Sequence, residues 1–273
     1  MGSSSTLTTT EAAKVASVAP STIKRWSDQG LLPFSRTPGG HRRFERNAVE
    51  RMLRSQIASS GGDDALATQW VRCLVEGRRH EIDGGLLEAR ARLGSWSCVA
   101  DEVAAALAEL GAQWATDRVT IAQEHVASDA LNRALTRIGD TLPSRLDGPR
   151  GLLASVGEDE HTLGLSLAEL CLREHGWSPL WLGRRTPLPE VLRLVEESRV
   201  AKVVLSASSI VNDEPFLRAT AEQVGTACRE REISLVLGGG GAWPNPPPYG
   251  TRLHSFAAFG DYLAEHSKRG AGR

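Results

Sequence analysis

Asp159-Glu160-His161-Thr162-Leu163-Gly164 decides how the second half of this chain is read. The stretch spells D-x-H-x-x-G. It stands where a run predicting a strand, Leu152 to Val156, gives way to one predicting a helix, Leu163 to Glu174. A histidine on such a turn can offer one ring nitrogen to a metal. A nearby carboxylate then takes the proton on the other nitrogen, which fixes the tautomer and raises ligand basicity. Gly164, without a Cβ, leaves room for a large flat ligand to approach the backbone.

The alternation continues to the end of the chain. Pro179–Leu182 predicts a strand, 188–198 a helix, Val203–Ser206 a strand, 215–231 a helix and Ser234–Leu237 a strand. A loop over 238–250, a short strand near Leu253 and a helix over 255–267 complete the segment. Short apolar strands alternating with helices predict an α/β, doubly wound (Rossmann-like) parallel sheet over residues 149–273. Such sheets bind ligands beyond the carboxyl ends of their strands. Asp159, His161 and Gly164, then Ser206 and Ser208, then Gly238 and Gly239 within Gly238–Gly241 all fall at those ends. A P-loop reading of the glycines lacks the lysine that should follow them.

Upstream, residues 65–146 read as all helix, with segments Ala65–Glu76, Ile82–Leu93, Cys98–Ala115 and Ile121–Thr141. Val99, Val103, Ala106, Leu107 and Leu110 recur at helical spacing. Four helices with short connections predict an antiparallel four-helix bundle. Trp114 ends the third helix and Glu124-His125 open the fourth, so the Asp117–Thr120 turn brings all three near one end. A core tryptophan and a capping glutamate are the plainer reading of the first two.

Residues 1–57 read as a winged helix-turn-helix head. Thr9 or Thr10 caps a helix through Ala16, Ser17–Ala19 turn, and Pro20-Ser21 open a second helix that Gly30 stops. Residues 31–44 predict a two-stranded wing turning at Gly39-Gly40, and a helix from Glu45 to Leu53 closes the unit. Thr22, Lys24 and Arg25 lie near the start of a helix suited to a major groove, while Arg36, His41, Arg42 and Arg43 can grip phosphates from the wing. Ile23, Trp26, Leu31 and Phe44 read as core. Ser59–Asp64 is a linker by composition.

Charge agrees with that division. Residues 1–57 hold nine Lys+Arg against four Asp+Glu, a net of +5, and the remainder 23 against 29, a net of −6. A basic head on an acidic body expects only the head to meet a polyanion. The 273 residues suffice for two or three small domains, with 41% hydrophobic and 24% charged residues. No run of eighteen apolar residues predicts a membrane span, and no secretory signal is read at the N-terminus. The four cysteines form no C-x-x-C pair, which argues against a zinc site or disulfide framework and suits a reducing cytoplasm.

Ser21-Thr22-Ile23-Lys24-Arg25-Trp26, Gly30-Leu31-Leu32-Pro33 and Gly40-His41-Arg42-Arg43-Phe44 resemble the DNA-binding head of the MerR superfamily. Residues 149–273 resemble cobalamin-binding domains in the base-off, histidine-on mode, which carry D-x-H-x-x-G, S-x-L and G-G. The resemblance implies that His161 is the lower cobalt ligand, that Ser206 bonds the displaced nucleotide tail, and that Gly238 and Gly239 let the tail thread into the sheet. Ser208 departs from the leucine of S-x-L.

Trp114, nine residues, then Glu124-His125 resemble the helical cap of CarH/LitR-type photoreceptor repressors, whose domain order matches nearly the whole chain. That family implies an adenosylcobalamin-dependent, non-enzymatic transcriptional regulator. Trp114 would pack against the adenosyl group, Glu124 would hydrogen-bond it, and His125 would lie close by. It also implies a homo-oligomer, dimer or tetramer, that binds double-stranded operator DNA in the dark and releases it under green light. The best-known members follow the tryptophan with a histidine that caps cobalt after illumination; here the residue is Ala115. His125 or water as the capping group, a short-lived light state, a light-insensitive sensor, and a different or additional chromophore all remain open. A cobalamin methyl carrier or mutase fragment is the enzymatic alternative, and a DNA-binding head has no place in it.

Overall fold

The computed structural model describes residues 6–16, 20–28, 32–37, 39–46, 48–49, 63–143 and 148–270, and the chain divides into two compact units, Met1–Leu66 and Ala67–Arg273. In the first unit β1 (Thr6–Leu7) leads into α1 (Thr9–Ala16) and α2 (Pro20–Asp28); β2 (Ser35–Arg36) and β3 (Arg42–Glu45) form the wing. Thr8, rather than Thr9 or Thr10, caps α1. Its hydroxyl accepts from Glu11 N at 3.2 Å while Glu11 Oε2 accepts from Thr8 N at 2.8 Å, a reciprocal capping box. The wing turns at Gly39–Gly40, where Gly40 takes φ +78°. β1 pairs antiparallel with β3 and adds a third strand, in the order β1-β3-β2. Leu7, Ile23, Trp26, Leu32, Phe44 and Val49 are buried together. Gly30, Leu31, the Ser17–Ala19 turn, most of the helix expected over Glu45–Leu53 and residues 59–62 of the linker lie outside the described residues.

The second unit opens with four helices, α3 (Asp63–Val75), α4 (Arg79–Leu93), α5 (Trp96–Ala115) and α6 (Ile121–Thr141). Ser95 caps α5 by accepting from Cys98 N, and Thr120 with Gln123 makes a capping box on α6. Gly94, at φ 80°, ends α4. Val99, Val103 and Ala106 are fully buried and Leu110 nearly so, one stripe of a helix packed on α4. Trp70 of α3 lies against Gly85 and donates from Nε1 to Glu102 Oε1 at 3.0 Å.

The α/β part follows with β4 (Arg150–Val156), α7 (Leu163–Glu174), β5 (Ser178–Thr186), α8 (Leu188–Glu196), β6 (Lys202–Ser206), α9 (Glu214–Glu230), β7 (Ser234–Gly238), β8 (Thr251–Arg252) and α10 (Phe256–Gly270). All five strands run parallel in the order β5-β4-β6-β7-β8. The central strands β4, β6 and β7 are buried on both faces, so they read as apolar runs rather than alternations. Leu152, Ala154, Val203, Leu205, Leu235 and Leu237 pack in one core with residues of α8 and α9. β5 extends four residues beyond its expected end, past a register shift where Gly183 takes φ +81°. Chain order reverses between β4 and β6, and the crevice beyond their carboxyl ends is the switch point where such sheets bind ligands.

The helices and the sheet form one body. α5 and α6 both pack on α7, and α5 also packs on α10. Glu174, ending α7, accepts from Trp96 N at 2.8 Å and pairs with Arg90 at 2.8 Å. Asp101 of α5 accepts from Phe256 N and Ala257 N at 2.7 and 2.8 Å, capping α10. Ser166 donates to Asn132 Oδ1 across α7 and α6 at 3.2 Å.

Candidate functional site

β4 ends at Val156, and Gly157 turns the chain with φ +59° so that Asp159 tucks beneath the sheet edge. The Asp159 side chain is 1% exposed and fully engaged. Its Oδ1 accepts from His161 N at 3.0 Å and Ser208 Oγ at 3.0 Å and faces His161 Nδ1 at 2.9 Å; Oδ2 accepts from Ser208 N at 2.6 Å. Ser155 Oγ donates to Asp159 O at 2.6 Å and in turn accepts from Arg185 N at 3.1 Å, which fixes the turn itself. Burial pushes the Asp159 carboxyl up, but the bonds from His161 and Ser208 outweigh it and hold it below the usual carboxylate range. An ionised carboxylate against Nδ1 places the imidazole proton there and leaves the Nε2 lone pair outward.

The His161 ring is 58% exposed, and Nε2 has no hydrogen-bond partner among the described residues. Its pKa is raised, first by the Asp159 hydrogen bond, against desolvation; the fields of Asp159, Glu124 and Glu160 add to the rise. Glu124 belongs to the first turn of α6, so that end of the bundle faces the sheet edge closely enough for its charge to be felt at His161. Glu124 accepts from Ser128 Oγ at 2.6 Å and lies 3.7 Å from His125 Nε2. The His125 side chain is 75% exposed. Trp114, on the last turn of α5, is 48% exposed, a large apolar surface left open to solvent. Trp114, Glu124 and His125 thus stand at one end of the bundle, with Ala115 beside them.

The glycines divide into two kinds. A Cβ on Gly164 would meet only Ser206 Oγ, at 3.9 Å, and one on Gly238 only Leu205 O, at 3.8 Å. The protein's own packing does not demand glycine at either. Gly239 is different: it takes φ +81°, and a Cβ there would overlap Ala207 O. Ser206 Oγ has no partner among the described residues and faces the same space as Gly164 and Gly239. Ser208, the departure from S-x-L, clamps Asp159 with both its backbone N–H and its hydroxyl. Trp243 and Arg252, which no motif marks, hold the glycine loop by donating to Gly238 O and Gly239 O.

Among the described residues no group of three or more His, Cys, Asp or Glu side chains gathers to hold a metal ion. One outward imidazole nitrogen suits a metal whose other positions are filled by its own macrocycle, and the open space before Gly164 suits a flat ring. The residues fit a corrinoid.

In the head, Lys24 of α2 and Arg36, Gly39 and His41 of the wing are exposed. Thr22 and Arg25 lie on α2, with their side chains outside the described ones. Arg43 is half-buried and bonds Arg42 O at 3.2 Å. Arg42, expected to grip phosphate, is half-buried. Its Nη1 donates to Lys24 O at 3.2 Å and to Ser27 Oγ, and its guanidinium stacks 4.7 Å from the Phe34 ring centroid. Those contacts brace the wing against α2.

Comparison with known proteins agrees with both parts. Residues 6–57 match the family described as helix-turn-helix domain, and residues 66–138 match the B12 binding domain. The HTH-type transcriptional repressor CarH of Myxococcus xanthus is 29% identical over 240 residues, 75% of this chain and 80% of that one. The repressor CarA of the same organism is 32% identical over 125 residues, 46% of this chain and 42% of that one. The monomethylamine corrinoid protein of Methanosarcina barkeri superposes with a TM-score of 0.58 over 75% of this chain and all of that one, at 12% identity, a likeness of fold alone. A helix-turn-helix head followed by a B12 binding domain and a Rossmann-like sheet defines a class of two-part transcriptional regulator. Within that class the chain fits the CarH type.

Proposed function

We propose that this chain is a repressor that binds adenosylcobalamin between bundle and sheet, assembles on operator DNA in the dark and lets go under green light. The observation that carries the reading is His161, held by buried Asp159 on Nδ1 and open on Nε2, under the field of Glu124. Residues 1–57 serve as the DNA head, 65–146 as the cap and 149–273 as the cobalamin domain. His161 would hold the cobalt from below. Trp114 would cover the upper group, Glu124 would bond it and His125 would lie alongside. Ser206, Gly238 and Gly239 would take the nucleotide tail, with Ser208 keeping Asp159 in place. Bound there, adenosylcobalamin supplies a cobalt–carbon bond that green light cleaves. With Trp114 and Glu124 engaged, the bundle keeps one arrangement and several heads are presented together, which raises DNA affinity by avidity. Lys24, Arg36 and His41, with Thr22, Arg25, Arg42 and Arg43, would make the contacts to DNA, Arg42 chiefly by holding the wing on α2. The protein would act in the cytoplasm by binding, not turnover.

Loading the protein with adenosylcobalamin in darkness and running size-exclusion chromatography before and after green light tests this. A dark dimer or tetramer that dissociates on illumination supports the reading; unaltered size and unaltered DNA affinity refute the light switch. Ala115 favours a second reading, a cobalamin sensor indifferent to light, because no ligand atom follows Trp114 to hold a photoproduct.

A further inference from the structure

Arg252, ending β8, is a mostly buried cation that pairs with no carboxylate among the described residues. Its Nη1 donates to Leu237 O at 3.1 Å and to Leu253 O at 3.2 Å, and its Nη2 donates to Gly239 O. Desolvation alone moves its pKa, down to about 10, with no carboxylate contributing. His254, two residues on, is lowered by burial and by the Arg252 charge, so it brings no compensation. Buried charges are ordinarily paired. A guanidinium has five N–H donors. Three point at carbonyls, which leaves Nε–H and one Nη2–H for something else.

Place says what that is. Gly239, held by Arg252, lies against Ser206, whose hydroxyl would be 3.0 Å from a Cβ on that glycine. Arg252 and Ser206 thus flank the same glycine at the carboxyl ends of β7 and β6. A planar guanidinium fork is suited to two oxygens of one phosphate.

We propose that Arg252 recognises the phosphodiester of the ligand's nucleotide tail, and so selects complete cobamides over corrinoids that lack the nucleotide loop. The inference rests on the cobalamin reading above. Three ligands separate its parts: adenosylcobinamide, which has neither phosphate nor base; adenosylcobinamide phosphate, which has only the phosphate; and adenosylcobalamin, which has both. Affinities measured in the dark by absorption titration should rank the two phosphate-bearing ligands about ten- to a hundredfold above adenosylcobinamide. Arg252→Gln should erase that preference, and Arg252→Lys should keep part of it. Arg252 also holds Gly239, so Trp243→Phe, which frees Gly238 O in the same loop and leaves the guanidinium in place, is the control: it should keep the preference for the phosphate-bearing ligands, and a Trp243→Phe protein that loses the preference as Arg252→Gln does overturns the proposal. A wild type that binds all three equally, or an Arg252→Gln variant that keeps the wild-type ratio, overturns the proposal and leaves the cobalamin reading standing. Failure of all three to bind the wild type overturns that reading and this one together.

Discussion

Replacing Asp159 with asparagine tests the site at its most heavily used side chain. The carboxylate offers only acceptors, and it faces four donors: His161 N, His161 Nδ1–H, Ser208 Oγ and Ser208 N. An asparagine supplies one carbonyl oxygen and one NH2. With the oxygen in the Oδ1 position, three donors keep a partner and the NH2 points at Ser208 N, donor against donor. With the amide flipped, the mismatch is larger. The residue is 4% exposed, so water does not relieve the conflict. A buried donor left unmade costs about 1–3 kcal/mol, and urea unfolding of the unliganded protein should show a loss of that order. The second effect falls on His161. A neutral amide oxygen still accepts from Nδ1–H but pulls less on the proton, so Nε2 becomes a poorer donor to cobalt. Loss of such an outer partner typically costs about 10–100-fold in metal affinity. Titrating the variant with adenosylcobalamin in the dark, and following cobalt absorption, measures this. Unchanged stability and unchanged affinity would show that the dyad neither braces the turn nor tunes a ligand.

Gly164→Ala should fold with little change in stability, since its Cβ meets only Ser206 Oγ at 3.9 Å, yet weaken corrinoid binding; Gly239→Ala should lose at least about 1–3 kcal/mol, from strain at φ +81° and from the overlap of its Cβ with Ala207 O, and should read as a stability defect in thermal melts. Arg36→Gln should lower the slope of log K against log salt for a mixed-sequence duplex by about 1, whereas Arg42→Gln should leave the slope unchanged and lower the melting temperature of the head. Lys202 is fully buried between the Trp177 and Tyr262 rings, 4.8 and 4.3 Å from their centroids, and burial lowers its pKa from 10.5 to about 8. A depressed lysine pKa means the unfolded chain binds the extra proton, so the penalty is complete below pH 8 and fades by about pH 10.5. The shift alone corresponds to about 3 kcal/mol, and cation–π contact reduces it, so Lys202→Met should stabilise the protein by about 1–3 kcal/mol at pH 7 and by little at pH 10.5. Chemical unfolding of both proteins across that range, compared by difference, cancels the thiols that titrate in the same window; a difference independent of pH would refute it.

Local patterns carried much of this fold in the sequence. Ile121–Thr141 has its cap, its capping partner and its apolar stripe all within its own residues, and its ends agree with expectation. The D-x-H-x-x-G turn was legible for the same reason: Asp159 and His161 are two residues apart and bond each other. What escaped notice depends on partners far along the chain. Ser208 reaches Asp159 across 49 positions, and its motif marks it only as a departure. Arg42 looks like any basic wing residue until Lys24 and Phe34 are placed beside it. Arg252 has no motif, because its meaning comes from three carbonyls that the fold assembles. Lys202 interrupts no pattern at the start of a strand, and only the two rings above it show that it is buried. Thr8, Thr9 and Thr10 all satisfy the N-cap rule, and Glu11, three residues beyond Thr8, breaks the tie.

The placing of the contacts between bundle and sheet bears on how a bound ligand would be sensed. α5 is tied down near its first turns, where Glu174 takes Trp96 N and Asp101 takes the N-terminus of α10. Its other end, 20 residues on, carries half-exposed Trp114. At 1.5 Å per residue the helix is about 30 Å long. A helix fixed at one end converts a small tilt at its base into displacements of several ångströms at the far end. The half-exposed indole thus stands at the end of the helix with the greatest travel. A ligand there acts on the bundle only by its differential affinity for two tilts. Weakening the anchor should therefore loosen that discrimination without touching the ligand. Asp101→Asn keeps the shape of the side chain and removes its charge, so it should narrow the difference in oligomer size between the liganded and unliganded protein while corrinoid affinity stays within a few-fold of wild type. An Asp101→Asn protein with the full ligand-dependent size change would mean that the helix does not pivot at this anchor.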